Sequence, residues 1–499
     1  MNVSAAKKNV ITSLMYQIVT ILYGLIIPRI ILTSFGSEVN GLVSSLSQFL
    51  NYISLLEGGL TGVIMAALYR PLANHDYKKV SAVIKAANLF FRKIALIFVG
   101  YTVVLAIIYP MVVRTSFSWE YVSSLTIIIS LSLFVQYFFS LSYRILINAD
   151  QKGYIVYLTL MLFTVVNFIF TIVVVNIWKE IHVLKLMSAV AFLIQPIVFN
   201  AYVSRKYPLD KKIAPDKEAL DQRWDGFGQN IAFFIHSNTD VVILTLFSNL
   251  ANVSIYSVYM LIVNALKTLV STISTALAPS IGNSLATMDE KDANKMFDFY
   301  EFGMCFITVF SFVCGGLLIT PFVQIYTKGI YDANYYQPIF GYIMIAAEAV
   351  YCFRDPYITV AYASGKFKET AKFAYAEAIL NIVISVILVP KMGLTGVAIG
   401  TLVAMIVRMI LHIIYLKKNI INRSIKKSFR CIAVFGIITI ISCICVRLLI
   451  RGVVGNYQEW FLQAIFTAII VMLIMLCFLF LFYRDLLKEF IGKILGKRG

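Results

Sequence analysis

The sequence has 499 residues, of which 60% are hydrophobic and only 14% are charged. Because soluble domains average about 25% charged residues, this composition excludes a series of soluble domains and indicates a polytopic membrane protein. The 43 Lys and Arg outnumber the 25 Asp and Glu and give a net charge of +18. Such a positive charge can indicate a nucleic acid or an anionic membrane surface as a partner, and the positions of the basic residues along the chain distinguish the two.

Apolar runs long enough to span a membrane recur along the whole chain. A hydrocarbon core about 30 Å thick requires roughly 20 helical residues, so the runs predict an all-α protein with about fourteen transmembrane helices. The predicted spans are 10–33, 39–69, 94–113, 120–143, 154–177, 183–203, 227–248, 253–279, 299–321, 336–362, 373–390, 394–416, 431–450 and 461–482.

Lysine and arginine residues lie mostly on one side of this helix pattern. With both termini cytoplasmic, 32 of them fall in cytoplasmic segments, six on the opposite side and five within helices. Since basic residues favour cytoplasmic loops, we predict that both termini are cytoplasmic. This topology and attraction to anionic lipids explain the net charge, so no nucleic-acid partner is expected. The apolar face of the C-terminal tail predicts a helix lying in the inner interface.

The sequence shows no sign of a cofactor. All seven cysteines fall inside predicted helices without CxxC spacing, which is typical of small packing residues rather than of metal sites or disulfides. The G-x-x-x-x-G-K-[ST] pattern of a nucleotide-binding loop is also missing from the sequence. We therefore predict no metal, no cofactor and no ATP hydrolysis by this chain.

Two segments of the sequence resemble each other, although apolar segments also match by chance. NADQKGYIVYLTLMLFTVVNFIFTIVVVNIWK (148–179) aligns with YASGKFKETAKFAYAEAILNIVISVILVPK (362–391) at an offset of 214 residues. An offset of six helices implies two six-helix lobes related by a pseudo-two-fold axis along the membrane normal, with a cleft that opens alternately to either side. The predicted domains are 1–226 (helices one to six), 227–416 (helices seven to twelve) and 417–499 (helices thirteen and fourteen with the interfacial tail).

Two long stretches resemble a known family. They are LIIPRIILTSFGSEVNGLVSSLSQFLNYISLLEGGLTGVIMAALYRPL (25–72) and GKFKETAKFAYAEAILNIVISVILVPKMGLTGVAIGTLVAMIVRMILHIIYLKK (365–418). With the helix count, they resemble the Wzx-like oligosaccharide and polysaccharide flippases of the multidrug/oligosaccharidyl-lipid/polysaccharide (MOP) superfamily.

This resemblance implies a function in the cell envelope. Such a protein is expected to move a polyprenyl-diphosphate-linked oligosaccharide repeat unit from the inner to the outer leaflet of a bacterial plasma membrane, for surface polysaccharide synthesis. Polysaccharide polymerase and glycosyltransferases would be its protein partners.

Four of the five basic residues inside predicted helices are candidates for a cationic cavity. A charge at mid-membrane costs several kcal/mol, so it should face a partner or a wet cavity, and guanidinium groups suit diphosphate oxygens. The alternative is that a side chain near a helix end extends to the interface. The candidates are Arg29, Lys267, Arg354 and Arg408.

Glu57 is the first carboxylate inside an apolar run. Gly58 and Gly59 follow it, which indicates a close-packing or bending site. Glu57 is a candidate proton or cation carrier, or else a fixed counter-ion. Because Lys267 lies at similar depth in the repeat-equivalent helix, an ion pair between the two is one hypothesis.

Four further titratable residues are candidates for ion coupling or for neutralising the embedded cations. His236 and Asp240 are four apart and can share a helix face, whereas adjacent Arg354 and Asp355 need different partners unless Pro356 breaks the helix. The four candidates are Asp240, His236, Glu348 and Asp355.

Two other functions remain open. A cation-coupled multidrug exporter of the same superfamily should line its cleft chiefly with acidic residues, whereas this chain also embeds basic ones. A membrane-embedded polysaccharide polymerase usually carries a large external loop, and the longest predicted loop here, 204–226, is cytoplasmic. We therefore expect a transporter and not an enzyme.

Overall fold

The computed structural model describes residues 3–57, 59–210, 212–216, 218–220, 227–450 and 454–485. Within these residues the structure is helical and contains no strand, which confirms the all-α prediction. The α-helices are α1 (Val3–Asn51), α2 (Leu60–Ala73), α3 (Tyr77–Val112), α4 (Trp119–Val135), α5 (Leu141–Ala149), α6 (Gly153–Ile177), α7 (Ile181–Phe192), α8 (Ile194–Lys206), α9 (Phe227–Phe247), α10 (Leu250–Thr287), α11 (Glu290–Tyr326), α12 (Pro338–Ala363), α13 (Phe367–Met392), α14 (Leu394–Asn419), α15 (Ile425–Leu449) and α16 (Tyr457–Phe482).

Eleven helical stretches in this described part are long and apolar enough to cross a membrane. Three features account for the difference from about fourteen predicted spans. The first two predicted helices merge in α1, which changes direction at Gly36, where φ is 84°. In α9 the described apolar stretch is only Asn238–Phe247, and α12 is long enough but carries three charged side chains. The protein is thus a multi-pass membrane protein.

The chain forms two compact units, Met1–Ser254 and Ile255–Gly499. In the first unit α9 packs against α1, because the Ser45 hydroxyl lies 2.7 Å from that of Thr245 and accepts a hydrogen bond from the Tyr109 hydroxyl. Helix α9 therefore belongs to the first unit. The predicted domain boundaries at 226 and 416 stay a prediction.

In the second unit, α11 binds the connection between α14 and α15. Arg423, in the connection from α14 to α15, donates from Nε to Asp298 Oδ1 of α11 at 2.5 Å and also binds Glu301. Burial alone would lower the pKa of Arg423, but the charges of Glu301 and Asp298 raise it. The guanidinium therefore stays charged and fixes the start of α15 to α11. The predicted interfacial tail lies outside the described residues from 486 onward.

The turns that lead into α6 and α13 have the same backbone geometry. Gln151 and Gly365 both have positive φ, 58° and 71°. The following Lys152 and Lys366 each donate a backbone N–H to the carbonyl five residues earlier, at 3.0 and 2.9 Å. The local structure thus repeats at the offset of 214 residues found in the sequence.

Helices α13 and α14 pack with their backbones in close approach. A Cβ added at Gly396 would lie 2.7 Å from the carbonyl carbon of Leu388, and one at Gly400 would lie 2.2 Å from Ser385 Oγ. Small residues allow such contacts between membrane helices. The close approach brings residues of α13 and α14 into direct contact further along the pair.

We expect Gly396→Ala to separate α13 from α14 and to lower stability by about 1–3 kcal/mol, as overpacking does. The check is the thermal midpoint of the detergent-purified protein. Gly436→Ala in α15 is the matched control, because its Cβ would meet nothing within 4 Å and should leave the midpoint unchanged or higher. Equal midpoints for the two variants would contradict the close approach.

Candidate functional site

Helix α12 carries Arg354 and Asp355 and continues through Pro356 without a break. The two side chains therefore point to different faces of the helix, as the sequence indicated. Arg354 faces α13, where it meets Glu377. Asp355 faces α10, where its Oδ2 lies 3.5 Å from the Ser271 hydroxyl.

Arg354, Glu377 and Arg408 form a buried cluster that joins α12, α13 and α14. Arg354 Nη1 lies 3.0 Å from Glu377 Oε2, and Arg408 Nη1 donates to the same oxygen. The three side chains are 2%, 1% and 9% exposed. Because two guanidiniums share one carboxylate, the cluster has an excess of one positive charge, and we call it the cationic cluster. One turn beyond Arg408, His412 Nδ1 lies 2.9 Å from the Arg408 carbonyl oxygen.

Lys267 of α10 pairs with Glu348 of α12, Nζ to Oε2, at 3.0 Å. The partner that the sequence suggested for Lys267 was Glu57, and the structure gives Glu348 instead. Lys267 and Glu348 both belong to the second unit, and their ion pair joins α10 to α12. The ring centroid of Tyr351 lies 4.0 Å from Lys267 Nζ and 4.4 Å from the Arg354 guanidinium carbon, so the ring contacts both cations.

A polar cavity of about 340 Å³ lies beside these charges. Its wall includes Asp355 and Tyr351, and the Tyr351 ring also contacts the Arg354 guanidinium. Hydroxyl groups make up most of the remaining polar lining. The lining residues are Ser271, Ser274, Thr275, Ala278, Tyr351, Asp355, Thr359, Tyr362 and Ala363.

Glu57 lies at a break in the first unit. The 3-10 helix Tyr52–Leu56 ends there, and α2 begins after Gly59, whose φ is 83°, so the predicted bend lies at Gly59. Glu57 accepts hydrogen bonds from the Thr61 hydroxyl at 2.6 Å and from the Tyr137 hydroxyl at 3.4 Å. Tyr137 belongs to a π-helical turn between α4 and α5. These described partners of Glu57 are neutral hydroxyl groups.

The structure does not bring the remaining predicted residues into the cationic cluster. Arg29 is half-buried in α1 directly after Pro28, and Asp240 is buried in α9 at 4% exposure; both belong to the first unit. The side chain of His236 lies outside the described residues. The second unit thus holds Lys267, Arg354, Arg408, Glu348 and Asp355.

The sequence reading did not identify Glu377, Glu301 and Arg423. Glu377 stands alone in the apolar run FAYAEAILNIV, which is the same signal that pointed to Glu57. Arg423 follows the predicted helix 394–416, and only the structure shows that it is buried against α11.

Comparisons with solved proteins identify the fold. No protein-family model and no curated protein sequence matches the chain. The lipid II flippase MurJ in an inward closed conformation is 17% identical, with a TM-score of 0.72 over 95% of this chain and 100% of that chain. An inward-facing multidrug resistance MATE family transporter of the MOP superfamily is 15% identical, with a TM-score of 0.61 over 79% and 94% of the two chains. The chain has the fold of these transporters.

A third solved structure has the same fold. It is a MOP superfamily transporter from Pyrococcus furiosus in which reverse polarity of the binding pocket suggests a different function. It is 14% identical, with a TM-score of 0.52 over 83% of this chain and 96% of that chain. At these identities the likeness shows the fold, and the substrate has to be argued from the residues of this chain.

We expect Glu377→Gln to destabilise the protein more than Arg408→Met. The first change leaves two buried guanidiniums without their shared carboxylate, which costs on the order of 3–5 kcal/mol. The second leaves Arg354 and Glu377 as a neutral pair and replaces the long arginine stem with a flexible apolar side chain. Thermal midpoints in one detergent provide the measurement, and a smaller loss for Glu377→Gln would contradict the shared-carboxylate arrangement.

Proposed function

We propose that the protein is a flippase that translocates a polyprenyl-diphosphate-linked oligosaccharide from the inner to the outer leaflet of a bacterial plasma membrane by alternating access. The observation that carries the proposal is the cationic cluster: Arg354 and Arg408 share Glu377 inside a transporter fold. The excess positive charge lies behind Tyr351, which lines the polar cavity. An anionic head group in this cavity is attracted to the cluster.

The pairing of Glu348 and Glu377 favours an anionic substrate over a cationic drug, whereas Asp355 on the cavity wall acts in the opposite direction. Glu348 pairs with Lys267, and Glu377 pairs with two arginines. Neither carboxylate offers an uncompensated negative charge to a cation. At an effective dielectric constant of about 20, one extra positive charge at roughly 10 Å contributes about 1.7 kcal/mol per negative charge of the ligand.

The fold comparison also supports a lipid-linked substrate. The MurJ structure, that of a lipid II flippase, matches 95% of this chain, whereas the MATE transporter matches 79%. The basic loops support cytoplasmic termini, contact with anionic lipids and outward movement from the inner leaflet. Polysaccharide polymerase and glycosyltransferases are the proposed protein partners.

The membrane potential is a sufficient driving force for such a step. A diphosphate with a charge of about −2 that moves outward through an inside-negative potential gains about 4–5 kcal/mol per 100 mV. Transport can therefore proceed without hydrolysis of ATP by this chain.

A cation-coupled exporter is the second candidate, and Asp355 is the observation in its favour. Its carboxylate lines the polar cavity among hydroxyl groups, and such oxygens suit a small cation. An exporter would use Asp355, and not the cationic cluster, to receive its substrate.

Proteoliposomes that contain a fluorescent undecaprenyl-diphosphate-linked oligosaccharide test the proposal. We expect flipping only in liposomes that contain the protein. An imposed membrane potential should accelerate flipping when the potential drives the anionic lipid in the direction of transport. Arg408→Met should slow flipping about tenfold, which corresponds to about 1.4 kcal/mol, because the excess charge is lost. Arg408→Lys should keep most of the rate.

The matched control is Arg430→Met, since Arg430 is exposed at the start of α15; its rate should equal that of the wild type. Transport of ethidium without flipping of the lipid, with loss of that transport in Asp355→Asn, would instead identify the exporter.

We also propose that Glu57 takes part in ion coupling. Gln can replace the carboxylate and still accept a hydrogen bond from the Thr61 hydroxyl, but it is neutral and cannot hold a cation. We expect Glu57→Gln to slow flipping. Glu38→Gln is the control, because the Glu38 carboxylate accepts bonds from the Ser116 backbone and hydroxyl at 2.9 and 2.7 Å, and it should leave the rate unchanged. A wild-type flipping rate in Glu57→Gln would make Glu57 a fixed structural acceptor.

A further inference from the structure

The second unit contains an apolar cavity next to the polar one. It has a volume of about 190 Å³ and lies between α10 and α11, and its lining includes no charged side chain. Leu277 at its edge is 42% exposed, so the cavity is open to the surface of the unit. The lining residues are Leu277, Ser280, Ile281, Ser284, Met296, Phe299, Tyr300, Gly303, Met304 and Ile307.

Tyr300 connects the two cavities. Its side chain lines the apolar cavity and is itself buried at 4% exposure. Its hydroxyl lies 2.8 Å from Ser274 Oγ and 3.4 Å from Thr359 Oγ1, and both of these residues line the polar cavity. An apolar compartment and a polar compartment therefore meet at one side chain.

The two compartments prefer opposite parts of an amphiphile. An apolar cavity of about 150 Å³ in a protein can bind small hydrocarbons, and this one is larger. The polar cavity offers hydroxyl donors, and its wall residue Tyr351 contacts Arg354 of the cationic cluster, whose positive field is opposed there by Asp355. A ligand that fills both has a hydrocarbon chain joined directly to an anionic head.

We propose that the cavity between α10 and α11 binds the head-proximal isoprenoid segment of the lipid-linked substrate, while the diphosphate occupies the polar cavity and Tyr300 marks the junction. This inference rests on the proposed flippase function and adds to it a binding site for the chain. The opening at Leu277 lets the rest of a long polyprenyl chain leave the protein. The chain thus stays in an apolar environment while the head group is held in the polar cavity.

Photolabelling of the full-length protein in nanodiscs tests the site. The probe is farnesyl diphosphate with a diazirine on its isoprenoid chain, and mass spectrometry of peptides locates the adducts. We expect adducts within 277–284 of α10 and 296–307 of α11. Unlabelled farnesyl diphosphate should compete, whereas phosphatidylglycerol should not. Adducts elsewhere, or equal competition by phosphatidylglycerol, would overturn the inference.

A pair of leucine variants on one helix provides a second readout. Leu277→Trp fills the cavity edge and should reduce labelling about tenfold, equivalent to about 1.4 kcal/mol of binding. Leu269→Trp is the matched control, because Leu269 is also on α10, is 52% exposed and is not part of the cavity lining. Unchanged labelling in Leu277→Trp would contradict the site. Since labelling of the wild type is mapped directly, a variant that fails to fold does not remove the test.

The same preparations separate this inference from the proposed function. Flipping of the lipid-linked oligosaccharide without adducts in the cavity would refute the chain site and leave the flippase proposal standing. Adducts in the cavity without any flipping would refute the flippase proposal and leave an isoprenoid-binding site.

Discussion

The second unit depends on the cost of placing a charge in an apolar environment. Lipid tails and apolar helix faces are equally hydrophobic, so the hydrophobic effect does not select which membrane helices pack together. A buried charge does select which helices pack together, because burying it without a partner costs several kcal/mol of free energy. Glu377 draws Arg354 and Arg408 together and thereby joins α12, α13 and α14, and Arg423 joins the start of α15 to α11. The ion pairs that stabilise this unit also create the charge field of its cavity.

The first unit uses neutral polar groups for the same purpose. The Ser45 hydroxyl connects α1 to Thr245 and Tyr109, and Asn40 donates to the Ser254 hydroxyl at 2.8 Å. Even Glu57 is held by hydroxyl groups. Neutral hydrogen bonds specify helix contacts without a strong field. Among the described residues, the buried ion pairs named above belong to the second unit.

Hydropathy predicted the helices because the membrane sets their length and each helix satisfies its own backbone. The repeated turn before α6 and α13 was visible for a similar reason, since it depends on local sequence. The partners of the embedded charges were harder to predict. Lys267 binds Glu348 because of how α10 and α12 pack, and a sequence does not state the rotation of one helix against another. Glu377 carried the signal that marked Glu57, but its two arginines come from other helices.

The position of the cationic cluster bears on how a substrate is released. Arg354 and Arg408 pair with Glu377 and are not among the residues that line the polar cavity, whereas Tyr351 lines it and contacts Arg354. A diphosphate in the cavity is therefore attracted by a field and does not have to replace Glu377 in direct contact with the guanidiniums. Asp355 on the same wall opposes that attraction. A transport site has to bind its substrate strongly enough for entry and weakly enough for exit. Attraction to a cluster that is already paired, opposed by the Asp355 carboxylate, meets both conditions. The ion pairs that stabilise the unit can then stay intact while the substrate enters and leaves.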